Sequence, residues 1–341
     1  KDAAKSLGMH QEVINWSNSI LKKNPDDAGT MHDKGIALFK TGKQRDAARI
    51  LEKALKVNPE NVTILESLKE IWKSACNDKA VAEMSKRILD IEPLNRQALL
   101  DGAIAHNRLG NIDKAIEMLG QALALDPTDV IAAYDLTLAL YRKGTFDVCA
   151  DVARRALEYS KKEPRLWRIL GEAEFARKEN LRALEALDKS ISLDDKEKGS
   201  HYSRGLVLME LHRYEEAAAS FGKVINLDGS DTDGLMQLGN ALFKLARLQE
   251  ALDCFSRLSS MKPGDFAPLI KQAEVLLKMD RPRDCITPLT AALKISPDSL
   301  AALRLMKEAS TELGDNEQVI MICNDILKID PKDADSLIDK G

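Results

Sequence analysis

The sequence has few aromatic residues, little net charge and no long apolar run. Aromatic side chains make up 4% of its 341 residues, and the formal net charge is −4. No apolar stretch approaches the roughly 20 residues that a membrane-spanning helix needs. A slightly acidic chain also lacks the basic surface that is typical of nucleic-acid-binding domains. We therefore expect no membrane segment in this stretch and no nucleic-acid partner.

Cysteine is scarce as well. The five cysteines are odd in number, and no two of them have CxxC spacing: Cys76, Cys149, Cys254, Cys285 and Cys323. This pattern argues against a disulfide framework and against a cysteine metal site. We interpret them as unpaired, buried thiols that pack as small apolar side chains. Unpaired thiols favour a reducing compartment, so the sequence predicts a cytoplasmic location.

Motifs of catalytic and cofactor sites are missing from the sequence. It has no Gly-rich phosphate loop, HExxH, GxSxG or nucleotide fingerprint. The stretch 228–234 is rich in Asp and Gly, but a calcium loop in its register requires an acid at Gly229 and a glutamate at Asn240. We predict a helix-capping turn there, with Asp231 or Thr232 as the cap. We expect no enzymatic activity, no metal and no cofactor.

What the sequence does contain is a 34-residue repeat. Seven prolines fall on one grid of this period: Pro25, Pro59, Pro93, Pro127, Pro263, Pro297 and Pro331. In the unit 28–61, apolar residues at helical spacing predict two short helices joined by a turn at Thr41-Gly42. Gly35 and Ala47 are small, which lets the two helices approach closely. A period of 34 with this pattern predicts an array of helix–turn–helix repeats.

Nine complete units follow one another without insertion or deletion: 28–61, 62–95, 96–129, 130–163, 164–197, 198–231, 232–265, 266–299 and 300–333. Partial units, 1–27 and 334–341, lie at the two ends. We expect a single repeat array over 1–341, and we interpret it as a fragment of a longer protein. In the first partial unit, 1–7 is predicted as the tail of a first helix.

The partner helix of that partial unit is predicted at 11–23, with Val13, Trp16 and Ile20 facing inward. The second complete unit departs from the pattern, because Lys69 and Val81 replace the small residues and Ser85 replaces the large apolar one. We expect its two helices to lie further apart than those of the other units. The ninth complete unit departs in the same way, with Lys307 and Val319 at the small positions.

The unit resembles the tetratricopeptide repeat, in which a large apolar residue, Leu-Gly, an aromatic residue, Ala, another aromatic residue, Ala and Pro recur in this order. One copy carries matching residues at Trp167, Leu170, Gly171, Ala183 and Leu187, and another at Leu238, Gly239, Leu242, Ala251, Phe255 and Pro263. The resemblance covers essentially the whole chain. It implies an all-α fold, a right-handed α-solenoid of about nine complete repeats. It also implies a non-catalytic scaffold that binds protein partners.

In this family the first helix of each unit lines the concave surface, so the resemblance implies a binding groove at the inward positions of the first helices. Those positions in 130–265 carry aromatic residues and methionines with a few polar neighbours. The predicted peptide-binding residues are Tyr134, Leu138, Tyr141, Arg142, Arg168, Phe175, Tyr202, Leu206, Met209, Met236, Asn240 and Phe243. Such a groove suits an apolar helix or an extended peptide. Arg142 and Arg168 are expected to orient acidic or carbonyl groups.

Several alternatives stay open at this point. In one of them, the apolar side chains of the groove pack sideways onto the neighbouring first helix and are partly buried parts of the structure. In another, the array is a substrate-selecting or regulatory region of a larger enzyme. In a third, it is a self-assembling scaffold whose ends stack on copies of itself. The carboxylate clamp and the asparagine ladder, two specialised binding modes of the family, lack their residues in this sequence.

Overall fold

The computed structural model describes residues 9–340, which form 20 α-helices and no β-strand. The predicted helix tail at 1–7 lies outside the described residues. The first helices of the units are α2 (Ala28–Lys40), α4 (Val62–Ser74), α6 (Arg96–Arg108), α8 (Val130–Lys143), α10 (Pro164–Ala176), α12 (Lys198–Glu210), α14 (Thr232–Lys244), α16 (Ala267–Lys278), α18 (Leu300–Glu312) and α20 (Ala334–Lys340). The second helices are α1 (His10–Lys23), α3 (Gln44–Val57), α5 (Asp78–Ile91), α7 (Ile112–Leu125), α9 (Phe146–Tyr159), α11 (Asn180–Leu193), α13 (Tyr214–Leu227), α15 (Leu248–Met261), α17 (Pro282–Ile295) and α19 (Asn316–Ile329).

Most first helices begin at a side-chain cap in the last position of the preceding unit. We number the positions of a unit 1–34, so that Ala28 is position 1 and Asn61 is position 34. Asn61 Oδ1 accepts a hydrogen bond from the Ile64 N–H at 3.1 Å. Asp231 Oδ1 accepts one from the Gly234 N–H at 2.7 Å. The stretch 228–234 is therefore a capping turn with Asp231 as its cap, as predicted.

The turn between the two helices of a unit needs a left-handed residue at position 15. Four units supply glycine there, with φ between 71° and 80°. Five others place a residue with a side chain in the same conformation, with φ between 52° and 65°: Cys76, Lys178, His212, Ala246 and Asp280. A side chain in this conformation costs free energy, because its Cβ crowds the following carbonyl oxygen.

Small residues bring the two helices of a unit together. A Cβ added to Gly205, at position 8, would lie 2.5 Å from Cε1 of Phe221 at position 24. Position 20 holds alanine or cysteine in most units, and Ala217 and Cys285 at this position are fully buried. The small residue at position 8 and the large residue at position 24, which recur in the sequence, are therefore the residues that meet between the two helices of a unit.

The helices form two compact regions, 1–169 and 170–341, and the boundary between them falls within α10. Within each, helices pack against their neighbours in chain order. The core of the first includes Leu51, Leu65 and Ile88, and a core of the second is built around Phe221 and Phe255. Among residues 9–340, no helix has both the length and the apolar character that crossing a membrane requires.

Two predictions about burial are wrong. Trp16 and Ile20 were expected to face inward, but they are 41% and 36% exposed. The buried residues of α1 are Val13, Ile14 and Ser17, and a face centred on these leaves Trp16 well outside it at 100° per residue. Cys76 was expected to be buried with the other thiols. It is exposed, because it occupies the left-handed turn position.

Candidate functional site

Tyr134 on α8 is the centre of a polar cluster in the region 1–169. Its hydroxyl oxygen accepts a hydrogen bond from Arg168 Nη2 at 3.1 Å. The guanidinium of Arg165 lies over its ring, 4.8 Å from the centroid. Arg165 Nε in turn donates to Glu163 Oε1 at 2.8 Å. The tyrosine is therefore held by two arginines of the next first helix, one against its face and one at its hydroxyl.

Three more predicted residues follow Tyr134 along α8. Leu138, one turn further on, is half-buried. The Tyr141 ring makes an edge contact with Phe146 of α9, and their centroids are 5.3 Å apart. Arg142 is exposed, and its Nη1 donates to the Asn107 side-chain oxygen of α6 at 3.3 Å. This face of α8 thus combines aromatic surface with a cation that a partner can reach.

Asp135 lies next to Tyr134 in the chain and is half-buried. Burial raises the pKa of the Asp135 carboxyl; the charge of Arg165 opposes this rise, and that of Asp129 adds to it. Hydrogen bonding to Glu163 raises the pKa of Arg165. The positive charge of Arg165 is therefore favoured by its surroundings, whereas the negative charge of Asp135 is disfavoured by burial.

In the region 170–341, six predicted apolar residues pack against the core while part of each stays accessible: Phe175, Tyr202, Leu206, Met209, Met236 and Phe243. The Tyr202 ring meets the buried Phe221 ring edge-on, with centroids 5.8 Å apart. Lys278 Nζ lies over the Phe243 ring, 4.8 Å from its centroid. Asn240 Nδ2 donates to Gln237 Oε1 at 3.4 Å. These side chains contribute to packing within the array and also leave surface to solvent.

The clefts described in the structure lie elsewhere, between successive second helices. One of about 760 Å³ lies between α5 and α7, with Leu89 and Met118 in its lining. A second of about 490 Å³ lies between α7 and α9, and a third of about 470 Å³ between α13 and α15. None of these three contains a predicted peptide-binding residue. Within 9–340, no group of His, Cys, Asp and Glu is arranged to hold a metal ion.

Arg165, over Tyr134, and Lys278, over Phe243, are not among the predicted peptide-binding residues. The pairs on this face share a signal in their separation along the chain. Arg168 is 34 residues from Tyr134, and Arg142 is 35 residues from Asn107. Lys278 likewise follows Phe243 by about one period of the repeat. Separations close to the period identify side chains that meet on successive first helices.

The tetratricopeptide-repeat family model matches residues 100–158, 138–197 and 202–266. The repeats in residues 100–197 and 202–266 belong to the tetratricopeptide-repeat family. The helices of the chain form the α-solenoid repeats that this family builds, as the sequence predicted. Tetratricopeptide-repeat arrays generally serve as protein-interaction scaffolds, and the fold is typically non-catalytic.

Two curated proteins resemble parts of the chain. The BBSome complex member BBS4 of Bos taurus is 27% identical over 220 residues, which cover 64% of this chain and 42% of that protein. The TPR repeat-containing protein YpiA of Bacillus subtilis is 20% identical over 164 residues, 48% of this chain and 38% of that protein. The matched part of this chain therefore spans about two fifths of either relative.

Solved structures of tetratricopeptide-repeat proteins share the fold. The C-terminal part of a repeat protein from Cytophaga hutchinsonii matches with a TM-score of 0.60 at 13% identity, over 70% of this chain and 98% of that one. YrrB, a TPR protein with an unusual peptide-binding site, matches with a TM-score of 0.52 at 20% identity, over 56% and 99%. The Cut9–Hcn1 assembly of the APC/C matches with a TM-score of 0.52 at 20% identity, over 87% and 58%.

Proposed function

We propose that this array binds a partner protein by docking a peptide or a helix of that partner on its first helices. The observation that carries the proposal is the row of half-buried aromatic residues and methionines on α12 and α14. Tyr202, Met209, Met236 and Phe243 pack at their base and leave their outer surface to solvent. Packing within the array does not require these side chains to stay partly exposed, whereas an apolar peptide gains by covering them.

The chemistry of this row suits a segment with several apolar anchors. Methionine side chains are flexible and polarisable, so Met209 and Met236 adapt to anchors of different shape. The amine of Lys278 lies at the ring of Phe243, where it supplies a positive charge at the edge of the apolar row. In the region 1–169, Arg142 and Arg168 are proposed to orient acidic or carbonyl groups of a segment that docks on α8. The fold neighbour YrrB has a peptide-binding site, which supports this class of ligand.

A library of random peptides of about 15 residues, displayed on phage, provides a test that needs no known partner. Peptides selected on the purified protein are synthesised, and their affinities are measured by fluorescence anisotropy. Phe243→Ala and Met236→Ala are each expected to weaken the selected peptides by about 10-fold or more, the loss typical of an interface anchor. Both variants are first checked by circular dichroism and urea unfolding.

Tyr159→Ala is the matched control, because Tyr159 is a 60% exposed aromatic residue on the second helix α9. It is expected to leave the affinities unchanged. If the selected peptides bind the Phe243 and Met236 variants as tightly as the natural protein, the proposed site is wrong. Failure of the library to yield any specific peptide would count against peptide binding altogether.

A cytoplasmic location is part of the same proposal. No cysteine in residues 9–340 forms a disulfide, as expected of a chain that functions in a reducing compartment. Because the chain spans only part of its curated relatives, a catalytic partner domain in the whole protein is a second proposal. Peptide selectivity measured on this array then describes which substrates such an enzyme recruits.

A further inference from the structure

The second complete unit buries a lysine where other units have a small residue. Lys69 occupies position 8 on α4 and is 1% exposed. The room for its stem comes from Ser85 at position 24, which is also fully buried and replaces the leucine or phenylalanine of most units. In those units a side chain such as Leu51 lies directly against position 8. In this unit the large side chain, Lys69, stands at position 8 and the small one, Ser85, at position 24, which is the reverse of the usual contact.

The charge of this lysine is met by the next unit, not by its own. Lys69 Nζ lies 2.9 Å from Asp101 Oδ2 on α6, and the side chains are 2% and 4% exposed. Lys73 Nζ, one turn further along α4, lies 2.8 Å from the other carboxylate oxygen. Burial alone would raise the pKa of Asp101, but hydrogen bonding with Lys73 and Lys69 and the charge of Lys69 hold it below its usual value. The carboxylate is thus fixed in its charged form between two ammonium groups.

The ninth complete unit has the same pairing with less burial. Lys307 stands at position 8 of α18, and its Nζ lies 2.6 Å from Asp339 Oδ2 on α20 of the next unit; the two side chains are 14% and 42% exposed. Position 24 again holds a small residue, Cys323, which is fully buried. Position 20 is valine in both units, at Val81 and at Val319. The lysine–aspartate separation is 32 residues, as it is between Lys69 and Asp101.

The sequence carries the same set a third time, at the beginning of the chain. Lys1 is at position 8, Val13 at position 20, Ser17 at position 24, and Asp33 at position 6 of the next unit. Lys1 lies outside the described residues, whereas Val13 and Ser17 are buried. Every unit with lysine at position 8 is therefore followed by a unit with aspartate at position 6. Of the seven other complete units, only 96–129 is followed by one, at Asp135.

This set has no evident advantage for packing. Removing a lysine from water costs free energy that a buried ion pair repays only in part, and well-packed apolar residues often do as well or better. The units with glycine and leucine or phenylalanine at positions 8 and 24 fill the same space without a charge. What the lysine adds is a condition on its neighbour, since a buried ammonium without a carboxylate is strongly destabilising. Polar pairs that fix register are the best-attested use of buried charge.

We propose that the set of Lys69, Val81, Ser85 and Asp101 is a register key, which admits as the next unit only one with aspartate at position 6. Units that carry Ser67, Ile169, Ser203, Gln237 or Leu305 at that position would leave the ammonium unpaired, and Lys271 would repel it. An array of similar units risks stacking out of order, because alternative neighbours present nearly the same apolar surface. A lysine key makes such an error costly at the units that carry it.

The key predicts that Asp101 matters only while Lys69 is present. Asp101→Ser installs the position-6 residue of two other units, and we expect it to lower the folding equilibrium constant by about 100-fold or more. Lys69→Gly with Val81→Ala and Ser85→Leu converts positions 8, 20 and 24 of the unit to the ordinary pattern. In that background Asp101→Ser is expected to cost less than about 5-fold, because no buried ammonium is left unpaired. Hydrogen exchange of the amides of α4 and α6 reports these losses locally, which suits an array that can unfold in parts.

Asp135→Ser is the matched control, since Asp135 has the same repeat position but follows a unit with Ala103 at position 8. A loss below about 5-fold is expected there. If the Gly/Ala/Leu variant does not fold, Lys69→Met gives a second background that keeps the volume of the side chain and removes its charge. Equal losses from Asp101→Ser with and without Lys69 would overturn the register key. So would a loss from Asp135→Ser as large as that from Asp101→Ser.

Discussion

Gly239 on α14 lies so close to Phe255 on α15 that a Cβ on the glycine would be 2.6 Å from Cε1 of the ring. The ring is 1% exposed and has no room to retreat. Gly239→Ala is therefore expected to destabilise the protein by about 1–3 kcal/mol, the usual cost of overpacking a core. Gly222→Ala is its control, since Gly222 lies within α13 with no neighbouring atom within 4 Å of an added Cβ. That change is expected to stabilise by about 1 kcal/mol, and urea unfolding measures both.

Ala246 adopts the left-handed conformation at position 15, with φ of 59°. Ala246→Gly removes a Cβ that crowds the backbone there, and we expect a gain of about 1 kcal/mol in the free energy of unfolding. The reverse change at the equivalent Gly144, whose φ is 80°, is expected to cost a similar amount. A loss of stability in Ala246→Gly would show that its methyl group contributes more by packing than it costs by strain.

Asn61 and Asn111 are both asparagines at a helix start, but only Asn61 makes a side-chain cap. Asn61→Ala is expected to lower the free energy of unfolding by about 1 kcal/mol, because the Ile64 N–H loses its acceptor. Asn111→Ala should change it by less than about 0.5 kcal/mol. The two variants are compared by thermal and urea unfolding. Similar effects at both positions would contradict the capping assignment.

Asp101 and Asp135 share a repeat position and have pKa values shifted in opposite directions. The folded-state pKa of Asp101 is lowered, so its contribution to stability is present above the unfolded-state pKa and is lost as the pH falls through the folded-state value. The folded-state pKa of Asp135 is raised, so its contribution is present at low pH and is lost as the pH rises through the folded-state value. Between about pH 6 and pH 3, stability should therefore fall less steeply in Asp101→Asn than in the natural protein, and more steeply in Asp135→Asn. Urea unfolding at fixed ionic strength across this range measures both slopes, and identical slopes would contradict the assignment.

Cys76 is exposed at a turn, whereas burial raises the pKa of the Cys254 and Cys285 thiols to about 11. Thiolates are the reactive form, so Cys76 is expected to react with iodoacetamide at least about 10-fold faster than either at neutral pH. Mass spectrometry of peptides after timed labelling gives the separate rates. All five thiols should react at similar rates once the protein is unfolded in urea. Fast labelling of Cys285 in the folded protein would show that α17 opens readily.

The sequence by itself determined the repeat, its helices and the contacts inside each unit. These follow from local pattern, because the positions of Gly35 and Leu51 recur in each ordinary unit and the helix ends are set by caps such as Asp231. The start of α10 at Pro164 was equally predictable, since proline suits the first turn of a helix.

Only the tertiary structure decided which side chains of successive units meet. Lys69 looked like a defect in its own unit, and its partner Asp101 lies 32 residues away on another helix. The half-burial of Tyr202 and the exposure of Trp16 likewise depend on how neighbouring helices cover them. Helical periodicity assigns a residue to a face, but the neighbour across that face decides how much of the residue is buried and what its charge meets.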